Sequence, residues 1–275
     1  VWTEERHNGV AVATYANPPM DYFTDPAVEQ LDRLIGGWSD EGVRVVVLAG
    51  GGEGRFITHF DVEEILRNQE QPDPIVSAPR RSRRVQSVLR KLNDLPKPVI
   101  AALNGDAMGF GFELALSTDI RVGQRGDHRY GLPEVRLGII PGGSGTVRLA
   151  RLVGAARALD LIMRARVLTP EEALELGLLT ELADDSLERA HAIAVRLAEL
   201  PPVAVAMAKK IIYQGLDVTM DQALAIEIEG SYRTKQSPDA AARMAEYLAI
   251  PMDRRRDWLD SERIAADTRI KELAR

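Results

Sequence analysis

The chain has 275 residues, 45% of them hydrophobic and 28% charged, a balance that permits a sizeable core and excludes a wholly disordered protein. Its formal net charge of −6 weighs against nucleic acid as the main partner, and the absence of cysteine excludes a disulfide framework and a thiolate metal site. The four histidines, His7, His59, His128 and His191, are scattered without metal-ligand spacing, so no metal is expected.

No apolar run reaches the ~20 residues of a membrane span. The first residues alternate like a strand and lack an apolar signal core, so a soluble, cytoplasmic protein is expected. "GVAVATY" (9–15) reads as a strand and "NPPM" (17–20) as a turn. Val28, Leu31, Leu34, Ile35 and Trp38 recur at helical spacing. "VRVVVLAG" (43–50) is a nearly continuous apolar run, as in a strand buried on both faces. Val85, Val88, Leu89 and Leu92 mark another helix, "KPVIAALNG" (97–105) another buried strand, and "DIRVG" (119–123) a third. "LTPEEALELG" (168–177) is punctuated as a helix, with Thr169 as N-cap, Pro170 in the first turn and Gly177 past the end. From about Leu187 the chain reads as almost all helix. The expectation is an α/β core over residues 1–200 and a helical C-terminal region over 201–275. The last stretch (253–275) is a charged amphipathic helix, either a solvated tail or an arm docking on another subunit.

Two glycine-rich stretches invite a nucleotide-binding reading, and neither fits it. "LAGGGEG" (48–54) follows a strand but does not give G-x-G-x-x-G ahead of a helix. "PGGSG" (141–145) leads into a helix without the Lys-Ser/Thr of a P-loop. Both read as turns that let backbone come close to something.

The chemistry gathers around "DAMGFGFELALSTDI" (106–120). A strand turns sharply and enters a helix near Gly111. The first turn of a helix leaves main-chain N–H groups without partners, able to stabilise negative charge. The glycines at 109 and 111 let that backbone turn tightly and approach a substrate oxygen. Glu113, alone among apolar and small residues, is then a carboxylate whose pKa is raised by desolvation, as suits proton transfer. Glu134, after Pro133 and among Leu132, Val135 and Leu137, is a second one. "GRFITHFDVEEI" (54–65) is a strand-to-helix passage able to supply a second donor. The plainer reading stands beside each: a Glu at a helix start suits the dipole, and a Glu after Pro is a turn residue. From the residues alone the result is a candidate acid/base pair with an oxyanion hole.

The blocks "VRVVVLAGGGEGRF", "KPVIAALNGDAMGFGFELALSTDIRV", "YGLPEVRLGIIPGGSGTVRLARLVG", "LTPEEALELGLL" and "AMAKKII" occur in an order and spacing that resembles the crotonase superfamily, typified by enoyl-CoA hydratase, over about residues 8–250. The resemblance implies an α/β fold, a crotonase-like spiral of β-β-α turns with a helical C-terminal region used in trimer assembly, trimers often pairing into hexamers. It implies an acyl-CoA substrate, with coenzyme A carried by the substrate and no further cofactor. It places the enolate-stabilising N–H groups at Phe60 and Phe110, the two hydratase glutamates at Glu113 and Glu134, and His59, Thr58, Asp61, Gly109 and Gly111 against the substrate. Retention of both glutamates favours hydration; isomerases usually keep the second. An isomerase, or a thioester or carbon–carbon bond hydrolase, is the alternative.

The block at 57–63 departs from the family. Phe60 replaces a small residue, His59 a glycine, and Glu63 a lysine that often helps hold the CoA nucleotide. With Phe110 and Phe112 bracketing Gly111, this suggests a narrowed or reshaped acyl site and a substrate other than a plain long-chain enoyl-CoA. His59 is either a third acid/base group or a structural histidine bonding a loop carbonyl. Asp61 reads as a helix cap. "PRRSRRVQSVLRK" (79–91) carries six basic residues, either a phosphate-binding patch for CoA's nucleotide or RNA, or the wet face of the Val85/Val88/Leu89/Leu92 helix.

Overall fold

The computed structural model describes residues 1–70 and 73–260. The strands are β1 (Trp2–His7), β2 (Val10–Tyr15), β3 (Val45–Gly50), β4 (Arg55–Ile57), β5 (Val99–Leu103), β6 (Asp106–Met108), β7 (Ile120–Gln124), β8 (Tyr130–Gly131), β9 (Val167–Leu168) and β10 (Glu181–Ala183). The helices are α1 (Asp25–Gly37), α2 (Val62–Gln69), α3 (Pro74–Asp94), α4 (Phe110–Ala115), α5 (Gly145–Val153), α6 (Ala155–Met163), α7 (Pro170–Glu175), α8 (Ser186–Ala198), α9 (Pro202–Gly215), α10 (Met220–Lys235), α11 (Pro238–Ala249) and α12 (Arg255–Leu259).

A large sheet runs β1-β2-β3-β5-β7-β10 and a small one β4-β6-β8-β9. The β1–β2 and β8–β9 pairs are antiparallel and the others parallel. Strands β3, β5 and β7 each hand the chain to a strand of the small sheet before it returns, which is the expected spiral of β-β-α turns. Continuous apolar runs make this possible, because β3 and β5 are buried along their whole length. Their alternating side chains serve two cores: Val45, Val47, Ala49, Ile100 and Ala102 pack under Ala190 and Ala194 of α8, while Val46, Leu48, Val99 and Leu103 face the interior shared with α1 and α3. The glycine that ends β3 serves this doubling back: a Cβ on Gly50 would lie 2.0 Å from the Arg55 carbonyl oxygen.

Helix α7 is closed by a capping box, with Thr169 Oγ1 accepting from Glu172 N and the Glu172 carboxylate accepting from Thr169 N. The chain divides into two compact units, Val1–Tyr213 and the residues from Gln214 on. Most of α9, read from sequence with the C-terminal region, therefore belongs to the first unit. A buried ion pair explains why: Lys209 Nζ donates to Asp119 Oδ2 at 2.8 Å and to the Leu92 and Lys97 carbonyls, and Tyr213 Oη donates to Asp119 Oδ1 at 2.9 Å.

The second unit holds α10, opened by a Thr219–Gln222 capping box, and α11, capped by Ser237. Met220, Leu224, Ile228 and Tyr232 form an exposed stripe along α10. Of the expected helical tail, a short 3-10 turn at Met252–Arg254 and α12 are present, and residues 261–275 lie outside the described residues. No single helix among the described residues is long and apolar enough to cross a membrane.

Candidate active site

The small sheet lays β4 beside β6, so the turns that follow them, 58–61 and 109–111, come together. Between them opens a cavity of about 520 Å³, walled by Val62 and Ile65 of α2, Val85 of α3, and Ile139 and Ile140. His59, Phe60, Gly109, Phe110, Glu134 and Gly143 also line it.

The two expected donors come to the same cavity. Among the described residues, neither the Phe60 nor the Phe110 N–H has an acceptor, and both residues line the cavity. Each belongs to a peptide whose carbonyl is already held on the far side. His59 O accepts from Phe23 N at 2.8 Å, and Gly109 O accepts from Glu113 N at 3.0 Å. A hydrogen bond on the carbonyl polarises the peptide and fixes the direction of its N–H, so both donors are preorganised. Phe23 also accepts from Asp61 N at 2.8 Å, bracketing Phe60 in a parallel bridge.

Glu113 lies in α4 and is 3% exposed. The amides that hold it come from outside its own helix. Gly143 N donates to Oε2 at 3.0 Å and Gly145 N to Oε1 at 2.6 Å, both at the start of α5. This is what "PGGSG" approaches: a Cβ on Gly143 would lie 2.9 Å from Glu113 Oε2, and one on Gly145 would lie 2.9 Å from both Cγ and Oε1. Burial nevertheless wins, pushing the Glu113 carboxyl up to about 7 against the opposing pull of the two amides and of the Arg148 charge. Each carboxyl oxygen accepts one bond and keeps a lone pair for a water. Glu113 sits one hydrogen bond behind the wall, on Gly143.

Glu134 opens a 3-10 turn (Glu134–Leu137) and lines the cavity directly. Its Oε2 is buried without a hydrogen-bond partner, the kind of orphan that marks a working group. Burial, with the negative charge of Glu113 adding to it, pushes its carboxyl up to about 7. Its Oε1 lies against Gly109, where a Cβ would be 3.3 Å away. Gly109 itself has φ +52°, so both conformation and space favour glycine there.

The other expected substrate contacts divide. His59 lines the cavity, stacks on Tyr22 at 4.5 Å, and places Nδ1 2.7 Å from the Phe60 carbonyl oxygen, the loop-carbonyl bond of its structural reading. Thr58, Asp61 and Gly111 are not among the residues lining the cavity. Thr58 Oγ1 donates to Met20 O at 2.5 Å, and Asp61 caps α2 through Glu63 N and Glu64 N. Gly111 is small for a structural reason: a Cβ would lie 1.9 Å from Ile57 O, so its close approach is to β4 and not to a substrate. Of the rings, Phe112 departs from expectation, being absent from the cavity lining. Phe110 stacks on Phe23 at 4.5 Å and Phe112 lies parallel to Tyr130 at 6.1 Å, both within the core. Phe60, edge-on to Phe110 at 5.7 Å, is the ring left half-buried at the cavity.

The basic stretch 79–91 is largely the wet, paired face of α3. Arg81, Arg84 and Lys91 pair with Asp25, Glu29 and Asp32, successive turns of α1. Sequence reasoning did not find the amides of Gly143 and Gly145 as ligands of Glu113, the bracket at Phe23, or the polar wall from Asn68, Gln69, Arg81 and Ser82. Only the first had a signal, in the glycines of 141–145. Among the described residues no cluster of three or more His, Asp or Glu could hold a metal ion.

Residues 5–251 match the family model described as enoyl-CoA hydratase/isomerase. The short-chain-enoyl-CoA hydratase of Clostridium acetobutylicum is 35% identical over 253 residues, covering 90% of this chain and 95% of that protein. A Bacillus subtilis protein named as a probable enoyl-CoA hydratase is 35% identical over 87% of this chain and 92% of its own. The crystal structure of an enoyl-CoA hydratase from Bacillus anthracis superposes with a TM-score of 0.83 at 28% identity, covering 90% and 95% of the two chains.

Proposed function

The chain belongs to the enoyl-CoA hydratase/isomerase family, and from that premise we propose how it adds water across the 2,3 double bond of an enoyl-CoA. The thioester carbonyl takes the two acceptor-free amides of Phe60 and Phe110, each worth roughly 3 kcal/mol of barrier lowering. Glu113 holds and deprotonates the water that attacks the β-carbon, and Glu134 delivers a proton to the α-carbon. In reverse, water leaves a 3-hydroxyacyl-CoA. The observation that carries this reading is the pair: Glu134, in a cavity lined by both donors, and Glu113, one hydrogen bond behind its wall on Gly143, are both pushed up to about 7. Groups poised near neutrality exchange protons in either direction at working pH. Crotonyl-CoA hydration by Glu113→Gln and Glu134→Gln, assayed separately, tests it. Hydration requires both variants to lose activity; loss in Glu134→Gln alone supports double-bond isomerisation instead.

The acyl group is short or compact. The half-buried ring of Phe60 narrows the cavity at the donor, and the Clostridium relative carries a short-chain name. Turnover falls with chain length in a panel of enoyl-CoAs, and a clear long-chain preference would overturn this. The protein assembles as a homotrimer or a dimer of trimers, supported by the exposed Met220, Leu224, Ile228 and Tyr232 stripe. Analytical ultracentrifugation reads the number of subunits, and a monomer would refute it.

A further inference from the structure

We infer that Arg148 is a positioning residue for Glu113: by donating to Ser144 it locks the turn at residues 143–145 in the conformation that aims two main-chain amides at the carboxylate. The inference rests on the proposed role of Glu113 in proton transfer, and it starts from a backbone outlier. Ser144 has φ +100° and ψ 5°, a region that residues with a Cβ rarely adopt and that persists only where the surroundings enforce it.

Serine at the N-cap of a helix ordinarily turns its hydroxyl onto an amide of its own first turn. Ser144 stands at the N-cap of α5 and makes no such bond. Its Oγ instead accepts from Arg148 Nε at 2.7 Å, one helical turn on, while Ser144 O accepts from Arg148 N at 3.0 Å. Arg148 thus holds Ser144 by both side chain and main chain. The residues on either side of Ser144 are the two glycines whose amides grip Glu113 at 3.0 and 2.6 Å.

The guanidinium is itself mostly buried, and burial pulls it below its ordinary range. The groups that face it are Glu113 of α4, Arg121 of β7, Tyr213 of α9 and, on its own helix, Arg151. Glu113 is the carboxylate of that set. A cation buried beside two others is costly unless an anion compensates it, and the charge of Arg148 in turn favours the ionised form of Glu113. Loosening the turn and removing the cation both act in one direction on Glu113: they raise its pKa.

The test reads Glu113 directly, without substrate. Carboxyl-labelled glutamate is followed by carbon NMR against pH, the Glu113 signal being assigned by its loss in Glu113→Gln. In Arg148→Met the midpoint moves upward by roughly half a pH unit or more, and kcat for crotonyl-CoA falls about tenfold with KM within about twofold, the pattern of a lost transition-state contribution. Ser144→Gly, which keeps every charge and relieves the backbone, moves the midpoint in the same direction by less, and serves if Arg148→Met does not fold. A Glu113 midpoint unchanged in both variants overturns the inference even if Glu113→Gln is inactive. Full activity of Glu113→Gln overturns the proton-transfer reading even if the midpoint moves.

Discussion

Replacing Glu134 by Gln should make the protein more stable and less active, with a gain in stability that depends on pH. The Glu134 carboxyl is pushed from 4.5 up to about 7, burial being the main cause. A carboxyl whose folded pKa is raised binds its proton more tightly in the folded state. Its contribution is fully present below 4.5 and is lost as pH rises through 7. At about 1.36 kcal/mol per pH unit, the gap between 4.5 and about 7 corresponds to ~3 kcal/mol by pH 8. Glutamine is close in size and carries no charge, so it keeps the packing and removes the penalty; Oε2 has no hydrogen-bond partner to lose. Urea unfolding of both proteins, at one protein concentration and several pH values, measures the difference. The two should coincide near pH 4.5 and diverge to ~3 kcal/mol in favour of the variant at pH 8, while hydration falls about 10²-fold or more. Parallel curves across that range would sink the reasoning, because they would mean that Glu134 ionises in the folded state at no cost.

Gly145→Ala should disturb Glu113 at a fixed position. The added Cβ meets Glu113 Cγ and Oε1 and Leu132 Cδ1 at 2.9 Å, with both residues 3% exposed and no room to retreat. Overpacking of ~1–3 kcal/mol should appear in denaturation with at least a tenfold loss of kcat; wild-type turnover would refute it. His59→Ala should keep kcat within about threefold and lose ~1 kcal/mol of stability, the value of one hydrogen bond. A hundredfold fall in kcat would instead make the imidazole a reactant. Lys209→Met strands a buried Asp119 carboxylate and two carbonyls, and should cost about 3–5 kcal/mol in urea unfolding. A cost below ~1 kcal/mol would show that the two other donors to Asp119, Tyr213 Oη at 2.9 Å and Val99 N at 2.7 Å, satisfy it unaided.

The buried strands at 45–50 and 99–103 were legible because a strand covered on both faces needs a continuous apolar run, and few other uses of the chain do. Strand β6 was not, since Asp106–Met108 is three residues inside a turn-rich stretch and owes its state to β4 and β8 on either side. Glu113 stood out as the one charge in an apolar helix. Its ligands could not be read, because the amides of 143 and 145 reach it across thirty residues of chain, and glycines announce close approach without saying to what. The ring of Phe112 was misplaced for a related reason. A six-residue helix buried on every side has no wet face, so helical period gives no clue to which ring faces the cavity. Three charges of the basic run at 79–91 pair with Asp25, Glu29 and Asp32 on a neighbouring helix, a partnership between distant segments that no local pattern announces.

The two groups proposed to grip the substrate oxygen are main chain, and they come from successive turns of the spiral, joined by the β4–β6 pairing. Mutation can therefore redecorate positions 60 and 110 without touching the atoms that do the gripping. Here the half-buried phenyl ring of Phe60 stands at the cavity, and its own amide has no acceptor among the described residues. A new side chain at either position reshapes the cavity and leaves both amides where the backbone sets them.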